Sequence, residues 1–209
     1  MLEMLVKIIK NVLTSIYQPF GFSIILSIFF MFFFEMVKEK GMKVAIKYWC
    51  MRFQNSVVFR KTFFLVFYIT MILFRTLFNR NMWMNPLSNV MGVFGLYNQK
   101  GEFTTEAIEN FILFIPFSIL IFWTYHKKLL GEKVKLWKTL WVATKMSLGF
   151  SITIEFAQLL LRLGTFQLSD LLYNTIGGML GGVLYYAYVT TRESFQKRPK
   201  LKNEIGEKE

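Results

Sequence analysis

Cysteine and histidine are almost absent from the 209-residue sequence, which holds one of each, Cys50 and His126. A single cysteine excludes a disulfide within the chain, and a single histidine argues against a metal site built from histidines. The G-x-S-x-G motif of serine hydrolases is also missing. The sequence therefore predicts neither a metal site nor another cofactor.

Acidic residues are scarce as well, since 13 Asp and Glu face 25 Lys and Arg, which gives a formal net charge of +12. Nucleic-acid-binding proteins often carry such an excess of positive charge. Here, however, 54% of the residues are hydrophobic, 24 of them are Phe, and long apolar runs alternate with basic runs. This alternation is typical of helical membrane proteins with basic cytoplasmic loops. We therefore expect membrane lipids, and no nucleic acid, as partners.

Five apolar segments approach the ~20 residues with which a helix crosses a bilayer. They are about 12–34, 61–79, 107–125, 139–161 and 170–190. The first is the weakest, because Gln18, Pro19 and Gly21 interrupt it. The sequence thus predicts an all-α, multi-pass helical bundle in a plasma membrane. An interfacial amphipathic segment at 1–11 precedes it, and a basic tail at 191–209, expected to be disordered, follows it.

Most Lys and Arg residues lie in three segments, 35–61, 126–138 and the tail from 191. Cytoplasmic loops are enriched in these residues, so the three segments are predicted to share the cytoplasmic side. With five spans, the N-terminus is then outside and the C-terminus is cytoplasmic. The charge pattern does not exclude four spans, because the N-terminus also carries positive charge.

With this orientation, four spans carry polar residues at one external level. These are Arg75, Glu109, Asn110, Glu155, Gln158, Arg162, Asp170 and Asn174. Charged groups in a span cost roughly 2.5–3.5 kcal/mol each on insertion scales and usually face the bundle interior or a watery cavity. The spacing of Glu155, Gln158 and Arg162 also places them on one helical face. We therefore predict an outward-facing ligand-binding pocket lined by the eight residues. The alternative is that they join helices by hydrogen bonds or lie among lipid headgroups.

Four glycines of the last span, Gly177, Gly178, Gly181 and Gly182, form two overlapping G-x-x-x-G patterns. Such patterns let a second helix approach closely. That helix could belong to the same chain, or to another copy in a homodimer. In the third span, Pro116 is expected to cause a kink or to free a backbone carbonyl.

Two stretches, "ENFILFIPFS" and "IEFAQLLLRLGTFQLSDLLYNTIGGMLGG", resemble the VanZ-like family. The resemblance covers about residues 60–190, and Ser118 departs from it because a Gly often stands there. The matching positions are Asn110, Phe114, Pro116, Glu155, Gln158, Arg162, Asp170, Asn174, Gly178 and Gly182.

The resemblance implies a small bacterial membrane protein linked to teicoplanin resistance, but no settled reaction. One expected function is low-level resistance through binding of a lipoglycopeptide or a lipid-linked cell-wall precursor in the polar pocket. The alternative is a membrane enzyme acting on lipid-linked sugars or phosphates, with Glu155 and Asp170 as candidate catalytic acid and base. An independent transporter is disfavoured, because the sequence has no inverted repeat.

Overall fold

The computed structural model describes residues 2–36, 41–78, 85–98 and 101–206. Six α-helices and one π-helical turn, joined by loops, form this part of the chain, which confirms the predicted all-α class. The α-helices are α1 Leu2–Met36, α2 Met42–Asn55, α3 Val57–Leu73, α4 Glu106–Leu129, α5 Leu136–Leu161 and α6 Leu168–Gly206. A π-helical turn, Phe74–Phe78, continues α3. The extended pairing found among the described residues is an isolated bridge between Tyr97 and Phe103.

Two of the described helices are long and apolar enough to cross a membrane, as judged by length and composition. They are Val57–Leu77 and Glu106–Leu129, with mean hydropathies of 1.9 and 1.8. Both coincide with segments predicted as spans, 61–79 and 107–125. A shorter apolar stretch, Ser23–Phe32, lies within α1.

The core of the bundle lies between α3, α4 and α5. Leu65 and Ile72 of α3 pack there against Phe114 and Phe117 of α4 and Ile154 of α5. A second buried cluster joins α4, α5 and α6 and is made of Phe122, Leu130, Ala143 and Tyr185.

The glycines of α6 alternate between two neighbouring helices. Gly177 and Gly181 face backbone carbonyls of α4, whereas Gly178 and Gly182 face side chains of α5. A side chain at Gly177 would collide with the backbone carbonyl of Phe111. Close packing within one chain therefore uses all four glycines. The homodimer through these positions stays a prediction.

Two expectations about helix boundaries differ from the structure. The predicted interfacial segment 1–11 is continuous with the first apolar segment, because α1 runs unbroken from Leu2 to Met36. The tail was expected to be disordered, but α6 continues as helix through 191–206. Lys, Arg, Glu and Gln are good helix formers, so they extend a helix that the apolar span has already nucleated.

The departure from helical backbone in α4 lies at Tyr125 (φ −115°, ψ 29°), beyond Pro116. Pro116 itself stands within the helix. The kink at Tyr125 is therefore a separate feature from the one predicted at Pro116, where the backbone stays helical.

Replacing Gly177 with Ala is predicted to destabilise the protein by about 1–3 kcal/mol, because the added methyl group would overpack against the Phe111 carbonyl. The measurement is thermal unfolding of the purified protein in detergent. Gly149→Ala is the matched control, because a Cβ at Gly149 meets nothing within 4 Å. Equal melting temperatures for the two variants would contradict the assigned role of the glycine face.

Candidate functional site

The π-helical turn at the end of α3 presents a backbone carbonyl to α5. Gln158 Nε2 donates a hydrogen bond to the Thr76 carbonyl oxygen at 2.8 Å, and the Thr76 hydroxyl donates to the Ile72 carbonyl at 2.8 Å. Gln158 is 1% exposed and Thr76 is 7% exposed. A π turn disturbs the regular ladder of helix hydrogen bonds, and such turns often occur at functional sites. Here the turn joins the ends of α3 and α5.

An ion pair on the same π turn joins it to α4. Arg75 Nη2 lies 2.6 Å from Glu109 Oε2, and their side chains are 23% and 11% exposed. The other oxygen, Glu109 Oε1, accepts from the Thr105 hydroxyl at 2.5 Å. Thr105 Oγ1 in turn accepts from Asn11 Nδ2 of α1 at 2.8 Å. This chain of contacts neutralises two charges and links three helical elements.

The Glu155 carboxylate holds the loop between α5 and α6. Its Oε2 accepts from the backbone N–H of Gln167 at 2.8 Å, and Glu155 is 1% exposed. The Gln167 side chain donates to the Thr165 hydroxyl at 2.8 Å. Asp170 follows in the first turn of α6 and is 8% exposed. A carboxylate at this position is stabilised by the helix dipole.

Further polar contacts run down the bundle interior. Asn174 Nδ2 of α6 donates to Ser151 Oγ of α5 at 2.8 Å, and the hydroxyls of Ser118 and Ser147 lie 3.2 Å apart. Within the described part of the chain, Gln158 Oε1 and Asn174 Oδ1 are buried acceptors without a hydrogen-bond partner. These two atoms are therefore hydrogen-bond acceptors in the interior of the bundle.

The segment 85–98 covers the end of the bundle at which these residues lie. Its backbone carbonyls accept hydrogen bonds from the backbone of residues 166–169. Two side-chain contacts add to this pairing: Ser169 Oγ accepts from Val93 N at 3.2 Å, and Tyr173 Oη accepts from Gly95 N at 2.9 Å. Gly92 has a φ of 72°, and a Cβ there would collide with Ser169. The segment therefore fits closely over the α5–α6 loop.

The eight predicted residues differ in burial and in the contacts they make. The structure brings Arg75 and Glu109 into contact, and it buries Glu155, Gln158, Asp170 and Asn174. Asn110 is half-buried.

Arg162 lies apart from this group, because it is exposed and caps α5 in a left-handed conformation (φ 55°). The helix ends at Leu161, so the helical periodicity that predicted a common face stops before Arg162 is reached.

An apolar groove does open beside these residues, between segment 85–98, the start of α4 and the start of α6. It has a volume of about 340 Å³. We call it the α4/α6 groove. None of the eight predicted residues lines it. Its walls are formed by Gly95, Leu96, Ala107, Ile108, Phe111, Tyr173 and Ile176.

Several partners of the predicted residues were not foreseen from the sequence. Thr76 bonds Gln158 through its backbone carbonyl, and Gln167 bonds Glu155 through its backbone N–H. Every residue carries such groups, so no side-chain pattern could indicate them. Asn11 and Thr105 extend the Arg75–Glu109 pair, but Asn11 lies within α1 and Thr105 directly before α4, and no sequence pattern indicates that they would meet.

The sequence is similar to known proteins of one family. The family model described as VanZ/LLP1 matches residues 3–189. Protein VanZ from Enterococcus faecium is 30% identical over 105 residues, which are 46% of this chain and 59% of that protein. The chain thus matches less than two thirds of this relative's length. No solved structure matches the chain.

A double-mutant cycle on Arg75→Met and Glu109→Met is predicted to give a coupling free energy of about 1–3 kcal/mol, because the pair is largely buried. The free energy of unfolding in mixed micelles is the quantity to measure. The pair formed by Lys127 and Glu132, 3.4 Å apart and more than 80% exposed, is the control and should give a coupling close to zero. Equal couplings in both cycles would show that the Arg75–Glu109 pair does not hold the site together.

Proposed function

This chain belongs to the VanZ/LLP1 family, and we propose that it is a multi-pass protein of the bacterial plasma membrane that contributes to low-level resistance to teicoplanin and related lipoglycopeptides. In this proposal it holds an acylated envelope ligand, either the lipoglycopeptide itself or a lipid-linked cell-wall precursor. The family and the similarity to Protein VanZ support the link to resistance. The α4/α6 groove is the observation that carries the proposed mode of action.

The proposed topology has five spans, an external N-terminus and a cytoplasmic C-terminus. The apolar helices Val57–Leu77 and Glu106–Leu129 support it, and so does the concentration of Lys and Arg in 35–61, 126–138 and the tail. The 26 residues of α5 would reach about 39 Å, enough to cross the ~30 Å hydrocarbon layer. Segment 85–98 and the α4/α6 groove are then external.

Thiol labelling in spheroplasts tests this topology. In a Cys50→Ser background, an impermeant maleimide is expected to label Ser88→Cys directly and Glu132→Cys only after permeabilisation. Both positions are exposed in the structure, so accessibility to solvent does not limit the reaction. The unmodified chain is the control, because its exposed Cys50 should also require permeabilisation. Labelling of Glu132→Cys without permeabilisation would overturn the orientation.

The α4/α6 groove suits an acyl chain. Its walls are mainly apolar, with Ala107, Ile108 and Phe111 on one side and Ile176 on the other. A volume of about 340 Å³ is within the range of about 300–1,000 Å³ found for small-molecule sites. An acyl chain that enters it removes apolar surface from water, which contributes about 25 cal/mol per Å².

Polar residues near the groove suit the rest of such a ligand. Glu109 and Asn110, neither of them fully buried, share the helical turns of α4 that carry Ala107, Ile108 and Phe111. Amides and carboxylates of this kind bind sugar hydroxyls and peptide groups. Arg162 is exposed at the same end of the bundle and can bind a carboxylate or phosphate.

The burial of Glu155 and Asp170 favours binding over the enzymatic alternative. Both carboxylates are covered by the protein, with exposures of 1% and 8%. Glu155 is also engaged with the Gln167 backbone in the α5–α6 loop. An acid and a base that act on a lipid-linked substrate would need direct contact with it.

Expression in a sensitive host is predicted to lower susceptibility to teicoplanin more than to vancomycin, because only teicoplanin carries an acyl chain. Ile176→Trp should return teicoplanin susceptibility to that of the empty vector, because the larger side chain fills the α4/α6 groove. Ile152→Trp, on an exposed position of α5, is the matched control and should keep the effect.

The measurement is the minimal inhibitory concentration at equal amounts of protein in the membrane. Unchanged susceptibility to both antibiotics on expression would refute the proposed function. Equal loss of the effect in both tryptophan variants would refute the groove as its site.

A further inference from the structure

A larger cavity, of about 610 Å³, lies at the opposite end of the bundle from the α4/α6 groove. Three helices form it: the start of α3 at Lys61, residues 123–128 at the end of α4, and residues 185–196 of α6. None of the eight predicted site residues lines it. We call it the basic cavity, because of the side chains around it.

Positive charge dominates this basic cavity. Its lining contains four cationic side chains and one carboxylate, that of Glu193. The cationic residues are Lys61, Lys127, Lys128 and Arg192. The Lys127–Glu132 ion pair neutralises little of this positive charge, because both side chains are more than 80% exposed and their charged atoms are 3.4 Å apart.

Aromatic residues form much of the remaining wall. Lys61 Nζ lies 5.2 Å from the centre of the Trp123 ring, and His126 Nδ1 lies 2.9 Å from the Tyr185 hydroxyl oxygen. The non-helical backbone at Tyr125 separates the last turn of α4, with its two lysines, from the rest of the helix. Aromatic rings beside Lys and Arg are typical of the boundary between membrane and water.

We propose that the basic cavity binds the phosphate group of an anionic lipid headgroup. Cations contributed by three helices around one space match a group with several anionic oxygens, and Lys and Arg bind phosphate through charge-assisted hydrogen bonds. Tyr188 and Gln196, which also line the cavity, add neutral donors.

The proposed topology places this cavity at the cytoplasmic leaflet, whose anionic lipids attract basic groups near the membrane surface. The assignment of the cavity to the cytoplasmic leaflet therefore rests on the proposed function, whereas the proposed binding of phosphate does not. A bound headgroup would join α3, α4 and α6 at the end where α4 is kinked, and it would stabilise the folded state by mass action.

Native mass spectrometry of the purified full-length protein tests this site. The protein is reconstituted with an equimolar mixture of phosphatidylglycerol and phosphatidylcholine, and the retained lipids are compared. Retention of phosphatidylglycerol in excess is expected for the unmodified chain. The double variant Lys61→Gln/Arg192→Gln should lower this preference roughly tenfold, because it removes two of the four cations near an anionic surface.

The matched control is Lys43→Gln/Lys47→Gln, which removes two exposed lysines from α2 outside the basic cavity. It should leave the preference unchanged. Equal loss in both double variants would overturn the site, because net charge alone would then explain binding. A charge-preserving Lys61→Arg/Arg192→Lys variant should retain the preference, and its loss would also count against phosphate recognition.

Competition with inorganic phosphate distinguishes a lipid headgroup from free phosphate as the source of the bound phosphate group. Excess retention of phosphatidylglycerol that persists at low phosphate concentration supports the lipid, whereas bound inorganic phosphate with no excess of phosphatidylglycerol assigns the cavity to free phosphate and overturns the lipid headgroup. The assay uses no antibiotic. Its failure therefore leaves the proposed resistance function standing, and a failed susceptibility test leaves this site standing.

Discussion

The contact on which the rest of the bundle depends is the face of α6 that carries Gly177, Gly178, Gly181 and Gly182. With no side chain there, the backbone of α4 and small side chains of α5 lie in direct contact with α6. Helices in a membrane are held together by close packing and hydrogen bonds, because lipid tails are as apolar as leucine. A side chain on this face would overlap with α4 or α5 and force the helices apart.

Close approach also explains how so many polar groups are tolerated in an apolar chain. Asn174 reaches Ser151, Gln158 reaches the Thr76 carbonyl, and Arg75 reaches Glu109. Each contact joins two elements, so burial of these groups is offset by bonds that also fix helix positions. The polar residues therefore organise one end of the bundle. The open space beside them is the apolar α4/α6 groove, which is where we place the ligand.

The lengths of the apolar runs predicted the positions of α3, α4 and α5 and the start of α6, because the hydrophobicity of a segment can be read directly from its side chains. The sequence also predicted that the polar residues of four spans lie at one level of the bundle, but it did not show which groups they contact. Gln158 and Glu155 bond backbone groups, and any residue type could supply these. Arg162 lies beyond the end of α5, so the helical periodicity that grouped it with Glu155 and Gln158 does not extend to it. The basic cavity depends on three separate segments meeting, which no local pattern encodes.

Photo-crosslinking with teicoplanin that carries a photoreactive group in its acyl chain tests the central claim most directly. The purified protein would be irradiated with this probe, and the modified peptides would be mapped by mass spectrometry. We expect adducts on the groove walls, at Ala107–Phe111 of α4 and Tyr173–Ile176 of α6, and competition by unlabelled teicoplanin. Adducts spread over the lipid-facing surface, or adducts unaffected by competition, would contradict a ligand site between these helices.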